Sequence, residues 1–158
     1  MDDKSIALPL SFLKILRMIE TSILLHRVVY AMDRAADRRL RDALGISHRR
    51  AALLRAIGTV GPSSQHDLAA RLGHTDPAIT SMVRSLRADG LVEVTVDPSN
   101  RRRRLVRLTD EGEALVARAT SILGRDMAAL VRVSRVDLDA LRRQLVKLDT
   151  HLSEQVAS

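Results

Sequence analysis

Four consecutive arginines, at positions 101–104, follow the turn sequence DPSN and precede a short apolar run. Guanidinium groups form paired hydrogen bonds with phosphate oxygens, and they enter narrow A·T-rich minor grooves, where negative potential is concentrated. This concentration of charge at one turn is therefore typical of a contact with a nucleic-acid backbone. The alternative is a solvated turn whose charges prevent the neighbouring strand edges from pairing with other chains.

The segment QHDLAARLGHTDPAITSMVR, residues 65–84, has the spacing of two helices joined by a tight turn. Ala69 is small enough for a close helix crossing, Gly73 tolerates positive φ at the turn, and Ile79 supplies an apolar anchor on the second helix. We therefore predict a helix-turn-helix. A structural helix pair without nucleic-acid contact is the alternative.

The second helix of this pair is expected to expose a polar face, since Ile79, Met82 and Val83 face the core. Short polar side chains near its N-terminus would let it enter a major groove. Asp76 would be repelled by phosphate, so it is expected to favour the helix start or to pair with an arginine. The predicted DNA-binding residues are Ser64, Thr75, Pro77, Ala78, Thr80, Ser81, Arg84, Asn100, Arg101, Arg102 and Arg103.

The elements that hold these residues begin with a long helix. Between Pro9 and Leu44 the chain has no internal glycine or proline, and apolar residues recur at helical spacing. Four later residues each precede a helical pattern and can accept a hydrogen bond from its first turn. These expected N-caps are Ser47, Ser64, Thr75 and Thr109.

Residues 92–108 change from helical to alternating periodicity. Val92, Val94 and Val96 share one face of an extended segment, and Val106 and Leu108 do the same after the arginine turn. This pattern predicts a two-stranded hairpin with the arginines at its tip. A hairpin that directly follows a recognition helix is a wing.

The last helix is expected to begin at Ser134, with Asp137 three residues later. Its leucines recur at heptad spacing; they are Leu138, Leu141, Leu145, Leu148 and Leu152. Because both terminal helices have more apolar length than the centre can cover, we expect a homodimer. An intramolecular pair of helices is the alternative.

The predicted fold is mainly α with a small β-hairpin wing, an α+β arrangement. A winged helix-turn-helix DNA-binding domain at residues 47–108 is expected between helical dimerisation segments at residues 1–46 and 109–158.

The composition of the 158 residues narrows the function. Lys and Arg total 26 against 19 acids, a net charge of +7 that suits an anionic partner. No cysteine is present, which excludes disulfides and thiolate chemistry. Without a membrane-length apolar run or a basic start at MDDK, we expect a cytoplasmic protein with no membrane partner.

Three short motifs resemble the MarR family of winged-helix transcriptional regulators over residues 21–155: GLVEV from Gly90, DPSNRR from Asp97 and LTDEG from Leu108. Two positions depart from the family pattern. Asn100 replaces an aspartate two residues before Arg102, so an ion pair becomes at most a neutral hydrogen bond. Val94 stands where relatives often carry arginine.

The resemblance implies a homodimer that binds a palindromic operator in double-stranded DNA. It also implies a small-molecule effector, phenolic or otherwise anionic, bound near the junction of the dimer and the DNA-binding domain. His26 and Tyr30, four residues apart on the first helix, are the expected ligand contacts. Ordinary packing of both side chains is the alternative.

We therefore predict a sequence-specific DNA-binding transcriptional regulator, interpreted as a repressor. The alternatives are a non-specific architectural DNA-binding protein and a winged-helix module that binds another protein. The five histidines show no metal-site spacing, and no nucleophile, paired-carboxylate or phosphate-loop pattern predicts an enzyme, a cofactor or a metal.

Overall fold

The computed structural model describes residues 10–156, which form helices and one antiparallel hairpin. The elements in chain order are α1 (Leu10–Leu44), α2 (His48–Val60), α3 (Gln65–Leu72), α4 (Asp76–Ala88), β1 (Val92–Asp97), β2 (Asn100–Leu108), α5 (Asp110–Ser134) and α6 (Leu138–Val156). The predicted mainly α fold with a β-hairpin wing is confirmed.

Three of the predicted helix starts carry the expected side-chain cap. The hydroxyl of Ser47 accepts from the backbone N–H of Arg50 at 3.4 Å, and that of Ser64 accepts from Asp67 at 3.1 Å. Thr109 begins α5 in the same way. These bonds satisfy backbone donors that have no partner inside the helix.

Two helix starts differ from the prediction. Thr75 occupies the N-cap position of α4 with extended backbone but makes no side-chain capping bond. Ser134 is the last residue of α5, so its predicted role as the cap of α6 is wrong. The Asp137 carboxylate accepts from the N–H of Ala140 at 2.9 Å instead, because a carboxylate next to the helix start is the better placed acceptor.

The core lies where α2, α3, α4 and the hairpin meet, and α1 and α5 each add one buried side chain and further partly buried apolar residues. Helices α3 and α4 bury the residues predicted to face inward, and Met82 and Leu72 pack at its edge. The largest fully buried side chains are Leu40, Leu53, Leu54, Ile57, Leu68, Ile79, Leu86, Val92 and Val106.

The hairpin is joined to the helices at its base. Val94 pairs with Val106 across the two strands, and the register shifts between Val96 and Asp97. Ser63, in the loop before α3, exchanges two backbone hydrogen bonds with Val106, at 3.2 and 2.8 Å. The base of the wing is thereby attached to the start of the helix-turn-helix.

The wing, the end of α4 and the start of α5 meet at one point. Gly90 has a φ of 72°, a conformation that favours glycine, and it directly precedes the wing. The Thr109 hydroxyl donates to the Gly90 carbonyl at 2.7 Å. A Cβ on Gly112 would lie far inside van der Waals contact with the Leu91 carbonyl oxygen. The GL motif at Gly90 and the LTxxG motif at Leu108 therefore pack directly against each other.

Helix α1 is tied to the rest of the chain through its C-terminal half. One oxygen of Asp37 accepts from the His48 N–H at the start of α2, at 2.9 Å, and the other pairs with Arg41. The pKa of Asp37 is held below its ordinary value, chiefly by the hydrogen bond from the Arg41 side chain and to a smaller extent by that from the His48 N–H. Arg39 reaches Asp126 of α5 at 3.3 Å.

The opposite half of α1 and the whole seam of α6 expose apolar side chains. Ile19 and Ile23 are 52% and 54% exposed, and the five predicted seam leucines of α6 are between 39% and 61% exposed. Exposed apolar area of this extent marks an interaction surface. None of the described helices has a stretch long and apolar enough to cross a membrane.

Replacing Gly112 with alanine is expected to destabilise the fold by about 1–3 kcal/mol, because the new methyl group would displace the Leu91 carbonyl. A Cβ on Gly124, also in α5, would have nothing within 4 Å of it, so G124A is the matched control. G124A should gain about 0.5–1 kcal/mol from helix propensity. Urea unfolding followed by circular dichroism measures both, and equal stability of G112A and the wild type would contradict this packing.

Candidate nucleic-acid interface

Helices α3 and α4 form a helix-turn-helix. Gly73 ends α3 in the left-handed conformation, with φ 62° and ψ 35°, and the N–H of His74 returns to the Ala69 carbonyl at 2.9 Å. Ala69 and Ile79 are buried where the helices cross. The small residue, the turn glycine and the apolar anchor therefore occupy the positions predicted from their spacing.

Helix α4 exposes a mainly polar face because its large apolar residues pack into the core on the opposite face. Ile79, Val83 and Leu86 are buried in the core. Most of the predicted DNA-binding residues of this region are exposed, namely Thr75, Pro77, Ala78, Ser81 and Arg84. These five residues are exposed along α4, from its N-cap to its third turn.

Thr80 and Gln65 connect the N-terminal ends of the two helices. The Thr80 hydroxyl donates to the side-chain carbonyl of Gln65 at 2.7 Å, and Thr80 is half-buried as a result. Sequence reasoning did not identify Gln65. The only signal was its position at the start of α3 beside the cap Ser64, which does not reveal a partner on another helix.

Asp76 is paired with a histidine and not with an arginine. Its carboxylate lies 3.1 Å from the Nδ1 of His66, so the arginine partner, one of the two predicted roles, is wrong. The other predicted role fits, since Asp76 lies in the first turn of α4. Both side chains are exposed at the start of α4. A protonated His66 would offset the negative charge that Asp76 places on this face.

The wing carries arginines of two kinds. Arg101, Arg102 and Arg104 are exposed, and no described carboxylate lies within 4.0 Å of them. Asn100, the residue that replaces an acid, accepts from the backbone N–H of Arg102 at 3.1 Å. Asn100 therefore fixes the backbone of the turn, and it makes no hydrogen bond with the Arg102 guanidinium.

Arg103 is engaged with two carboxylates. Its guanidinium contacts Asp67 of α3 and lies 4.0 Å from the buried Asp97. The hydroxyl and N–H of Ser99 hold the pKa of Asp97 below its ordinary value. The pKa of Asp67 is lowered by the Ser64 hydroxyl and, to a smaller extent, by Arg103. Both acids are thus favoured in the charged form that Arg103 requires.

A cavity of about 600 Å³ lies between α1, α2 and α5. Its walls are mostly apolar, formed by residues such as Met32, Ala51, Leu123 and Met127. The polar residues on the walls are Asp33, His48, Arg55, Thr120 and Asp126.

The polar residues of the cavity differ in whether they have partners. Asp33 lies 3.5 Å from His48, and Asp126 is paired with Arg39 outside the cavity. Among the residues that the structure describes, no carboxylate lies within 4.0 Å of the Arg55 guanidinium. The buried Nδ1 of His48 also has no hydrogen-bond partner there. The cavity is therefore an apolar space with one uncompensated cation.

Comparisons with known proteins agree with this architecture. Residues 44–103 match the sequence model of the MarR family. The structure resembles the transcriptional regulator BldR from Sulfolobus solfataricus with a TM-score of 0.76 and 25% identity, covering 89% of this chain and 98% of BldR. The predicted resemblance to MarR-family winged-helix regulators is confirmed by both comparisons.

Two further similar proteins extend the comparison. A match of 98 residues is 32% identical to the HTH-type transcriptional repressor NicR from Pseudomonas putida, and it covers 60% of this chain. This match spans 62% of the length of NicR, less than two thirds of it. The MepR–DNA complex from Staphylococcus aureus is similar with a TM-score of 0.69 and 26% identity, covering 84% of this chain and 96% of MepR.

His26 and Tyr30, the ligand contacts predicted from the MarR resemblance, lie on α1 outside the cavity walls. Both are exposed, and the Tyr30 ring has Arg34 at 5.7 Å from its centroid. The cavity begins at Met32, farther along the same helix. Their role stays a prediction. Over residues 10–156, no group of three or more metal-ligating side chains is placed to hold an ion.

Proposed function

We propose that this chain is a homodimeric repressor of the MarR type that binds a palindromic operator and is released from it by a small anionic effector. The observation that carries the proposal is an exposed polar face on α4 joined directly to a wing with three uncompensated arginines. The names of two similar proteins support it, since NicR is a transcriptional repressor and MepR forms a complex with DNA.

Helix α4 is proposed to enter the major groove with its N-terminal half. Ala78 and Ser81 are short enough for a close approach to base edges, and Arg84 reaches a phosphate or a guanine. Thr75 and Pro77 lie at the helix start, where backbone N–H groups favour a phosphate. Thr80 and Ser64 would support this surface through their bonds to Gln65 and Asp67.

The wing is proposed to lie along the DNA backbone beside α4. Arg101 and Arg102 have no acidic partner among the described residues, so DNA phosphates would be their first strong anionic contact. Neutralising phosphates releases condensed counterions, which gives affinity independent of sequence. The wing therefore supplies strength while α4 supplies discrimination between bases.

The dimer is proposed to form through the exposed apolar faces of α1 and α6, with residues 1–46 and 109–158 as dimerisation segments. The described protomer covers neither face. A second copy of the chain would cover both by two-fold symmetry. Two copies of α4 then meet half-sites about one helical turn, or 10 base pairs, apart in an inverted repeat.

The effector is proposed to occupy the cavity between α1, α2 and α5. Its apolar walls suit an aromatic ring. Arg55 would bind the anionic group, because among the described wall residues it is the one arginine or lysine, and it has no acidic partner. His48 also lies on the cavity wall, where its Nε2 is 3.5 Å from Asp33. Because α2 belongs to the DNA-binding core and α1 to the dimer, a ligand there would change the angle between them.

Gel-shift titration against genomic fragments tests DNA recognition. We expect a few fragments to bind at least about a thousandfold more tightly than the rest. R102A should weaken this binding by about 1–3 kcal/mol, because it removes a wing contact. R107A is the matched control, since Arg107 is already paired with Glu93 at 2.7 Å. Equal affinity for all fragments would favour an architectural protein, and an unaffected R102A would exclude Arg102 from the contact.

Replacing Leu141 and Leu145 together with glutamine is expected to convert the dimer to monomers, because both side chains lie on the exposed seam of α6. Sedimentation velocity should show a 17.5 kDa species in place of one twice as large. K147Q, off the seam on the same helix, is the control. A double variant that still sediments as a dimer would place the interface elsewhere.

The cavity proposal predicts that aromatic carboxylates bind and that the amides of the same rings do not. Isothermal titration of benzoate and hydroxybenzoates measures this directly. R55Q should weaken carboxylate binding about tenfold or more, since it removes a charged hydrogen bond. Equal binding of acids and amides, or unchanged binding to R55Q, would contradict an anion site at Arg55.

A further inference from the structure

We propose that Arg103 is a positioning residue that holds the wing against α3 through Asp67 and Asp97, while Arg101, Arg102 and Arg104 face the DNA. The inference rests on the proposed DNA-binding function. The four arginines at positions 101–104 then have two different roles, although the sequence alone does not distinguish them.

The partners of Arg103 come from two different elements. Asp67 lies in the first turn of α3, and Asp97 is the last residue of β1. One guanidinium group on β2 therefore bridges the helix-turn-helix and both strands of the wing. The planar fork of arginine suits such a bridge, because its N–H groups point in fixed directions toward more than one oxygen.

The Asp97 carboxylate and the backbone of Asp67 are held in place independently of Arg103. Asp97 is 7% exposed, and one of its oxygens accepts from the N–H and the hydroxyl of Ser99 at 2.8 and 2.6 Å. The backbone of Asp67 is held by its bond to the cap Ser64. A carboxylate that is already oriented, as that of Asp97 is, reduces the entropy lost when Arg103 is fixed.

The outer part of the wing has few other contacts that would hold it. The base is attached through Ser63 and Val106. Farther out, Val96 is 45% exposed opposite Arg104, so no apolar core supports the tip. An isolated two-stranded hairpin is marginally stable in water. The bridge from Arg103 to α3 thus orders the segment that carries the three other arginines.

Simple electrostatics and the positioning role predict opposite effects at Asp67. A carboxylate near DNA is repulsive, so its removal alone would tighten binding. If Asp67 instead holds the wing in place, D67N loosens the wing and weakens binding. The sign of the change therefore distinguishes the two roles.

The salt dependence of binding distinguishes a phosphate contact from a positioning residue. Each phosphate neutralised by a side chain adds about one to the slope of log affinity against log salt. Arg103 is already paired with protein carboxylates, so R103Q should leave this slope unchanged. R102Q, the adjacent and unpaired arginine, should reduce the slope by about one.

The test uses the full chain and the genomic fragment that the wild type binds most tightly. It compares the affinities of D67N, R103Q, their double variant and R102Q for this fragment. We expect D67N and R103Q each to weaken binding about tenfold, with the double variant no weaker than either, as coupled residues behave. Tighter binding by D67N, additive losses in the double variant, or a reduced salt slope for R103Q would overturn the proposal.

A measurement on the free protein separates this proposal from DNA binding itself. Amide hydrogen exchange across residues 98–104 should accelerate in R103Q and D67N and stay unchanged in R102Q. Exchange in R103Q equal to that of the wild type would refute the positioning role. If the wild type binds no DNA fragment, the proposed function fails, and the exchange data still decide whether Arg103 holds the wing.

Discussion

The close packing of Gly112 on the Leu91 carbonyl oxygen determines how the functional parts of this chain are arranged. That contact leaves no room for a side chain, and the Thr109 hydroxyl reinforces it by donating to Gly90. The end of α4, the start of the wing and the start of α5 therefore meet at one junction. Since α5 also lines the cavity, this one helix extends from the junction with α4 and the wing to the proposed effector site.

The charges on the chain are divided between structural pairs and free groups. Asp37, Asp67, Asp76 and Asp97 each have a basic or backbone partner that fixes a joint between two elements. Exposed ion pairs contribute little stability by themselves, so these pairs mainly fix how the two elements are oriented. Arginines without a carboxylate partner among the described residues include three on the wing and Arg55 on one wall of the cavity. At these two places an anion, phosphate in one case and a small ligand in the other, would complete the pairing.

The secondary structure and the helix-turn-helix could be predicted from the sequence because their signals are local. The caps at Ser47, Ser64 and Thr109, the turn at Gly73 and the valine alternation each depend on neighbours within a few residues. The pairs Thr80–Gln65, His66–Asp76 and Arg103–Asp67 could not be predicted, since each depends on how two separate elements pack. The predicted start of α6 at Ser134 is wrong because Ser134 and Asp137 are both residue types that favour the N-cap, and only the backbone conformation at Arg135 decides between them. The cavity likewise arises from three helices distant in sequence.

The central claim is that two copies of one recognition surface, held at a fixed distance by shared terminal helices, bind one duplex by its sequence. Selection from a pool of random double-stranded DNA by the purified chain, followed by sequencing, tests this claim most directly. We expect an enriched inverted repeat whose half-sites are separated by about one helical turn. Enrichment of an asymmetric site, or of no sequence at all, would contradict it.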